Sequence, residues 1–480
     1  MANYDRDFLV STHPDYDKKI QDWNFHYRSY LGGQDFSNGY FLNRYILETE
    51  EEFLKRVDYT ALDNHCRNVV QIYSSFLFRV PPSRNYGTLS NDPLLDAFLK
   101  DADLDGREYN NVIRDMQINA SIYGTCWAII DKPLSNAKTR AEELQQEIRP
   151  YISIYTPENV TNWSYDRASN GKYYLTSLTV VEDMQGDNAI VKVWSMEDIT
   201  TYKIEDFVKQ YATKKPIKID EQPNALGVIP AVILYNQKSQ KKAIGISDLS
   251  DVADLQKSIY NDYSEIEQLI RLSNHPSLVK TPNVEASAGA GSVIEIPEDL
   301  ASELKPYIIQ PSSQSLDSIM RTIQMKVDAI NRITHMGAIR ITENRIQSGI
   351  ALQTEFQLLN ARLSEKADLL ENAEEQIFDF YCKWQNTTFD GEIEYPDSFN
   401  LRDYASDLEF YQRAKASGVQ SETFKKEVDK QIVRAVIDED EMLETIDNEI
   451  DAKPSPIGQF STNLPTQEPT QWQIQIPQLH

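Results

Sequence analysis

The stretch SDLSDVADLQKSIYNDYSEIEQLIRLSNHP, residues 247–276, decides the reading of this chain, together with SLDSIMRTIQMKVDAINRITHMG, residues 315–337. In the first, Leu249, Val252, Leu255, Ile259, Tyr263, Ile266 and Ile270 recur at three-to-four spacing, the period of one helix face. Ser247 is an N-cap residue type, and Asp248 and Asp251 suit the positive end of a helix dipole. Pro276 closes the stretch. In the second, Leu316, Ile319, Ile323, Val327, Ile330 and Ile333 form a matching stripe, and Gly337 is placed to be the left-handed C′ residue. The intervening segment reads as strands and loops: Ser292–Ile296 and Tyr307–Ile309, punctuated by Gly289, Gly291, Pro297, Pro306 and Pro311. A short basic stretch, Ala338–Gln347, follows the second helix. Then comes the longest helix, from Ser348 to about Gln385, with Leu352, Phe356, Leu359, Leu363, Leu370, Ile377, Tyr381 and Trp384 on its apolar stripe. Such a rod is roughly 55 Å long, several times the mean helix of about 11–12 residues. It needs partners along its length, and neighbouring subunits are one source.

Working outward, the first 80 residues read as helical, with a stripe from Phe53 to Leu77 ended by Pro81-Pro82. A second helical region runs from about Pro93 to Ile122. Then Cys126–Ile130, Tyr151–Tyr155, Tyr173–Val181, Ile190–Trp194 and Thr201–Ile204 are short, β-branched and aromatic, with turn pairs such as Asn170-Gly171 and Gly186-Asp187 between them. This is the pattern of antiparallel strands, so the fold class is α+β. Leu401–Asp451 reads as helical and acidic towards its end, and the expectation from Pro454 onward is a tail that is disordered or ordered only against a partner.

The chain has 480 residues, 48 Lys plus Arg and 74 Asp plus Glu, hence a formal net charge of −26. At roughly 100–200 residues per domain, this is about three domains or one large body with appendages. Hydrophobic residues at 40 % exclude general disorder. The acidic balance argues against a broad grip on nucleic acid, which needs a basic footprint. It leaves open a protein that surrounds DNA without gripping it. No apolar run of about 18 residues is present, so no transmembrane helix is expected. The first residues lack the basic and apolar regions of a signal peptide. Cys66, Cys126 and Cys382 are far apart and odd in number, so buried reduced thiols and a cytoplasmic setting are expected.

Catalytic signatures are missing: no His-Glu-x-x-His, no Gly-x-Ser-x-Gly elbow, and no Walker A, since Asp166 and Tyr173 fail the pattern around Gly171-Lys172. Asp101-Ala-Asp-Leu-Asp-Gly106 reproduces the start of an EF-hand loop, but Val112 stands where the bidentate Glu belongs. An acidic turn between helices is the expected structure there. No catalytic residue, metal or cofactor is assigned.

The order of elements, two stripe helices flanking a strand-loop insertion, a short loop and a very long helix, resembles the portal (head-to-tail connector) proteins of tailed bacteriophages. Ile229–Ile233, Gly245–Leu249 and Val252–Leu255 resemble the approach to that family's first stem helix. His275–Leu278 resembles its exit into the clip, and Gln347–Leu352 the start of the long helix after the tunnel loop. Tyr123–Asp131 and Tyr155–Trp163 resemble wing strands. The resemblance implies a wing at 1–246, stem helices at 247–272 and 315–336, a clip at 273–314 and a tunnel loop at 337–347. It further implies a long wing helix and following strand region at 348–400, a helical crown at 401–451, and a tail at 452–480. It also implies a twelve-subunit ring at one capsid vertex of the virion, assembled in the host cytoplasm. Its partners would be double-stranded DNA in the channel, the major capsid protein, the large terminase subunit and a head-tail adaptor, with no membrane. The implied tunnel-loop residues are Gly337, Arg340, Glu343, Asn344, Arg345 and Gln347. The implied clip contacts are Asn283, Glu285, Gly289, Gly291, Glu295 and Glu298.

Two other readings are open from the residues alone. One is an acidic helical adaptor or scaffold without a DNA channel. The other is a metal-dependent nucleic-acid enzyme built on Asp101, Asp103 and Asp105.

Overall fold

The N-terminal 80 residues fold into helices, as their period predicts, but local capping divides them. The computed structural model describes residues 4–274 except 40, 134–138, 208 and 210–213, then 277–279, 301, 307–309, 313–337, 349–396, 398–399, 411–415, 421–434 and 440–452. Residues 1–399 form one compact unit and residues 400–480 a second.

Helices of ten residues or more are numbered here. Helix α1 is Pro14–Leu31, with Pro14 in its first turn, where the missing N–H costs nothing. Helix α2 is Glu50–Tyr59 and α3 is His65–Leu77. The continuous stripe expected across them is interrupted because Thr49 and Glu52 cap α2 reciprocally, Thr60 leaves the helix in an extended conformation, and the Asn64 side chain accepts from Arg67 N to start α3. Strand β1 is Ser83–Asn85. The helical region expected from about Pro93 to Ile122 consists of a short helix, Leu95–Lys100, and then α4, Tyr109–Tyr123. The turn between them uses left-handed backbone at Leu104 and Gly106.

Strands β2 (Thr125–Asp131), β3 (Tyr151–Tyr155), β4 (Val160–Arg167), β5 (Tyr173–Gln185), β6 (Asn188–Ser195), β7 (Asp198–Ile204), β8 (Ile217–Pro223) and β9 (Ala231–Tyr235) follow. They make an antiparallel meander, β4-β5-β6-β7-β8, and a three-stranded sheet, β3-β2-β9. Every residue of β2 is buried, because helices and the long rod cover both faces of the smaller sheet.

Helices α5 (Val252–Asn274) and α6 (Ser313–Ile333) form a pair, with strands β10 (Ser277–Val279) and β11 (Tyr307–Ile309) joining antiparallel beyond their ends. Helix α7, Gly349–Trp384, has 36 residues, and β12 (Glu392–Glu394) pairs with β1. Phe378 and Tyr381 on α7 enter an aromatic cluster, with ring centroids 5.2 Å from Tyr109 and 4.7 Å from Phe98 respectively. In the second unit, α8 (Glu422–Arg434) and α9 (Asp440–Ala452) are tied by Lys430 to Asp451 at 2.8 Å.

Two local expectations change. Helix α6 ends through His335, not Gly337: His335 has φ +55°, its N–H donates to Arg332 O, and Met336 N donates to Asn331 O. This is a Schellman ending with a non-glycine residue at C′. His335→Gly should therefore raise stability by about 0.5–1 kcal/mol, since glycine adopts that conformation without the Cβ penalty. Calorimetry checks it; a lower melting temperature contradicts it. The second change is at Ser247. Its hydroxyl accepts from Leu249 N at 2.9 Å and donates to Ile122 O at 2.6 Å, forming a turn that starts five residues before α5 begins. That turn lies against the α4–β2 junction, where Gly124 (φ +92°) and Gly245 touch. A Cβ on Gly124 would lie 2.7 Å from the Gly245 carbonyl.

Candidate functional site: a helical hairpin anchored by buried charge

The α5–α6 hairpin is amphipathic, so one side must find apolar cover. Ile259 on α5 and Ile323 and Ile330 on α6 are buried in the main core. Lys326 pairs with Asp262 across the hairpin. Two polar anchorages, the first and third below, fix this module to the rest of the first unit, and the second ties β1 to α7.

The first is at the approach to α5. Lys366 Nζ on α7 lies 2.7 Å from Asp248, and Arg362 on the same helix lies 3.2 Å from its other oxygen. Asn236 Nδ2 donates to Asp248 at 3.0 Å and to Ile246 O at 2.9 Å. Asp248 and Lys366 are only 4 % and 3 % exposed. Burial alone would raise the Asp248 carboxyl, but Lys366 and Arg362 outweigh it and hold it below the usual carboxylate value. Burial lowers the Lys366 ammonium despite Asp248, with Arg362 adding repulsion. The carboxylate governs the trio, because two cations flank one anion. Nearby, Tyr73 OH on α3 donates to Thr334 O at 2.9 Å, joining the end of α6 to the same region.

The second anchorage is further along α7. Arg84 donates to both oxygens of Glu374, at 2.7 and 3.0 Å, and Tyr395 OH donates to the same carboxylate. Glu374 is fully buried. Burial pulls the Arg84 guanidinium down, but Glu374 more than offsets it, and the net shift is upward.

The third holds α2 against α5. Arg56, 1 % exposed, donates to both oxygens of Glu48 at 2.7 and 2.8 Å and to Ser264 Oγ at 2.9 Å. Its guanidinium holds the Glu48 carboxyl below the usual range. The Tyr45 ring lies over that guanidinium at 4.0 Å, and Tyr45 OH donates to Glu265 on α5 at 2.7 Å.

Of the implied tunnel-loop and clip residues, only Gly337 is described, immediately after the Schellman ending. Arg340, Glu343, Asn344, Arg345 and Gln347, and Asn283, Glu285, Gly289, Gly291, Glu295 and Glu298, lie outside the described residues. In the Asp101–Gly106 turn, two of the three carboxylates are engaged by the subunit's own groups. Asp101 accepts from Gly106 N and pairs with Arg149 at 2.9 Å, while Asp103 accepts from Asp105 N and Arg107. Among the described residues, no His, Cys, Asp and Glu group is arranged to hold a metal ion.

The anchoring charges Lys366 and Glu374 escaped the sequence reading. Their signal was position: each falls on the apolar stripe of α7, three residues after Leu363 and four after Leu370. A charge on a buried stripe needs a buried partner.

The family described as phage portal protein, SPP1 Gp6-like, matches residues 13–451, a span that contains the hairpin, its connecting segment and the rod. The chain belongs to this phage portal family. Similar solved structures come from gene transfer agent (GTA) particles. A chain from the neck of the empty GTA particle computed with C6 symmetry is 10 % identical, with TM-score 0.45, covering 83 % of this chain and 99 % of that one. A chain from the virion of the native GTA particle is 10 % identical, with TM-score 0.44, covering 81 % and 96 %. One from the neck of the native particle computed with C12 symmetry is 10 % identical, with TM-score 0.44, covering 76 % and 89 %. Among curated proteins, none matches. In this portal-family chain no helix of the described residues is long and apolar enough to cross a membrane.

Proposed function

We propose that this chain is the subunit of a dodecameric portal ring at one capsid vertex, a non-enzymatic channel for DNA packaging and ejection. The family match across 13–451 carries this reading. In it, α5 and α6 are the stem, the segment between them is the clip that meets the large terminase and the head-tail adaptor, and the tunnel loop at 337–347 lines the constriction. The crown, at 401–451, faces the capsid interior, where the acid of Asp438–Glu441 and Glu444–Asp451 is concentrated.

The charge suits a conduit. Each subunit carries −26, so phosphates approaching the wall are repelled rather than held. A basic wall would trap DNA by counterion release. At physiological salt this repulsion is screened beyond about 8–10 Å, so it acts only where the wall comes close to DNA. There Arg340 and Arg345 offer brief phosphate contacts that centre or retain the duplex.

The test is Arg340→Glu combined with Arg345→Glu in an assembling particle. Rings should form, while packaged or retained DNA should fall by about tenfold or more, as expected when favourable phosphate contacts become repulsive. A normal yield of filled particles would remove these side chains from the mechanism.

A further inference from the structure

A closed ring of identical subunits needs two different, complementary faces on each copy. Strand β5 carries a distinct surface feature at each of its ends. It has 13 residues, so Tyr173 at its start and Gln185 at its finish stand roughly 40 Å apart.

At its start lies a groove of about 690 Å³ between the β4–β5 hairpin, β9 and α7. Tyr165, Tyr173, Tyr174, Tyr235 and Phe380 contribute rings to the lining, and Tyr173 is 51 % exposed. Cations gather over these rings. Arg167 lies 5.5 Å from the Tyr173 ring. Lys242 lies over the same ring and 5.2 Å from that of Tyr165, and Lys238 is 6.0 Å from that of Tyr235. Lys172 also lines the groove. None of these four cations pairs with a carboxylate among the described residues. Desolvation, and then the charge of Arg167, pull the Lys242 ammonium below its ordinary value. Asp379, the one carboxylate on the lining, is taken by Lys383 at 2.6 Å. In a chain of net charge −26, this is a local excess of positive charge that the subunit leaves unanswered.

At its finish, β5 turns into β6 through Gly186 (φ +64°) and Asp187, and the ladder is paired up to Gln185 and Asn188. Residues 182–187 are all exposed, Met184 at 45 %. Asp183 accepts from Gln185 of the tip itself at 2.8 Å. Asp187 meets Lys209 at 3.1 Å, but both side chains are more than half exposed, and such a pair is worth little. The tip is therefore acidic, carries an apolar side chain at its centre, and is ordered by its own ladder. Pre-ordering lowers the entropy cost of binding.

Chemistry and position together name the occupant of the groove. Carboxylates suit ammonium groups that have none, and a methionine thioether packs favourably against aromatic rings. The tip cannot reach the groove of its own subunit, because β5 holds the two apart. The contact has to run between copies.

We propose that the β5–β6 tip of one subunit, with Asp183, Met184 and Asp187, docks in the aromatic groove of the next copy of this chain, against Lys172, Lys238 and Lys242. This rests on the ring proposed above and adds which surfaces join its subunits. Tip and groove are different surfaces, so the contact is heterologous and repeats around a ring instead of pairing two copies.

The test is a charge swap in the full-length chain, read as the fraction of protein in rings. Asp183→Lys with Asp187→Lys alters the tip, and Lys172→Glu with Lys238→Glu alters the groove. Each double variant should keep the circular dichroism of the parent and lower the ring fraction by at least about tenfold, since like charges then face each other. All four substitutions in one chain restore opposite charges across the contact, and rings should return. If either double variant assembles as the parent does, the groove takes some other segment and the pairing is overturned, with the portal reading intact. Failure of the combined variant to recover, when both double variants have lost rings, also overturns it. No rings from the parent chain would instead sink the portal reading itself.

Discussion

Glu374→Ala should lower the unfolding free energy of this chain by about 3–5 kcal/mol, the range for breaking a buried ion pair from one side. Arg84 would keep its charge beneath the protein surface with nothing to receive its two N–H donors, and Tyr395 OH would lose its acceptor. The damage is larger than that of a cavity because the guanidinium cannot shed its proton. Denaturant unfolding measures the loss. Glu374→Leu with Arg84→Met should recover much of it, since an apolar pair of similar volume avoids the desolvation cost. A single-variant effect below about 1 kcal/mol would show the network to be solvated.

Lys366→Met should have a loss of similar size, about 3–5 kcal/mol at neutral pH. Here the stranded group is the Asp248 carboxylate, left with Arg362 and Asn236 alone. The pH dependence has a definite sign. In the parent, Asp248 is held below the ordinary carboxylate value, so it contributes stability above that value. That contribution fades as pH falls through its folded pKa. In the variant, loss of the lysine raises the folded pKa, and the carboxyl takes up a proton sooner on acidification. The difference between parent and variant should therefore shrink below about pH 4, near the ordinary carboxylate value. Unfolding curves at neutral and acid pH read it directly. Asp248→Asn in the Lys366→Met background should be milder than Lys366→Met alone, because the uncompensated charge is gone. A difference that grows towards acid would refute this assignment of the charge.

The helices were legible from the sequence where a long stripe met no local competitor. The rod expected from Ser348 to about Gln385 is found at Gly349–Trp384. Boundaries failed where polar side chains compete for backbone groups. Thr49, Thr60 and Asn64 split one stripe into α2 and α3, and Ser247 spends its hydroxyl on a turn before α5. The strands that were missed lacked alternation or a local partner. The first four residues of β8 are all exposed, so its sequence carries no inward face. Strand β1 exists only because β12 returns to it from some 300 residues later.

The site was legible as an order of elements, not as chemistry. The buried charge pairs join residues over a hundred positions apart, such as Asp248 with Lys366 and Arg84 with Glu374. Nothing local in the sequence pairs them. Their only trace is a charged residue standing on a buried stripe, which says that a partner exists without naming it.

Class-averaged electron micrographs of the purified full-length chain test the central claim most directly. Closed rings of twelve subunits around a central hole are expected. A monodisperse monomer at high concentration, or an open filament without a pore, would contradict it.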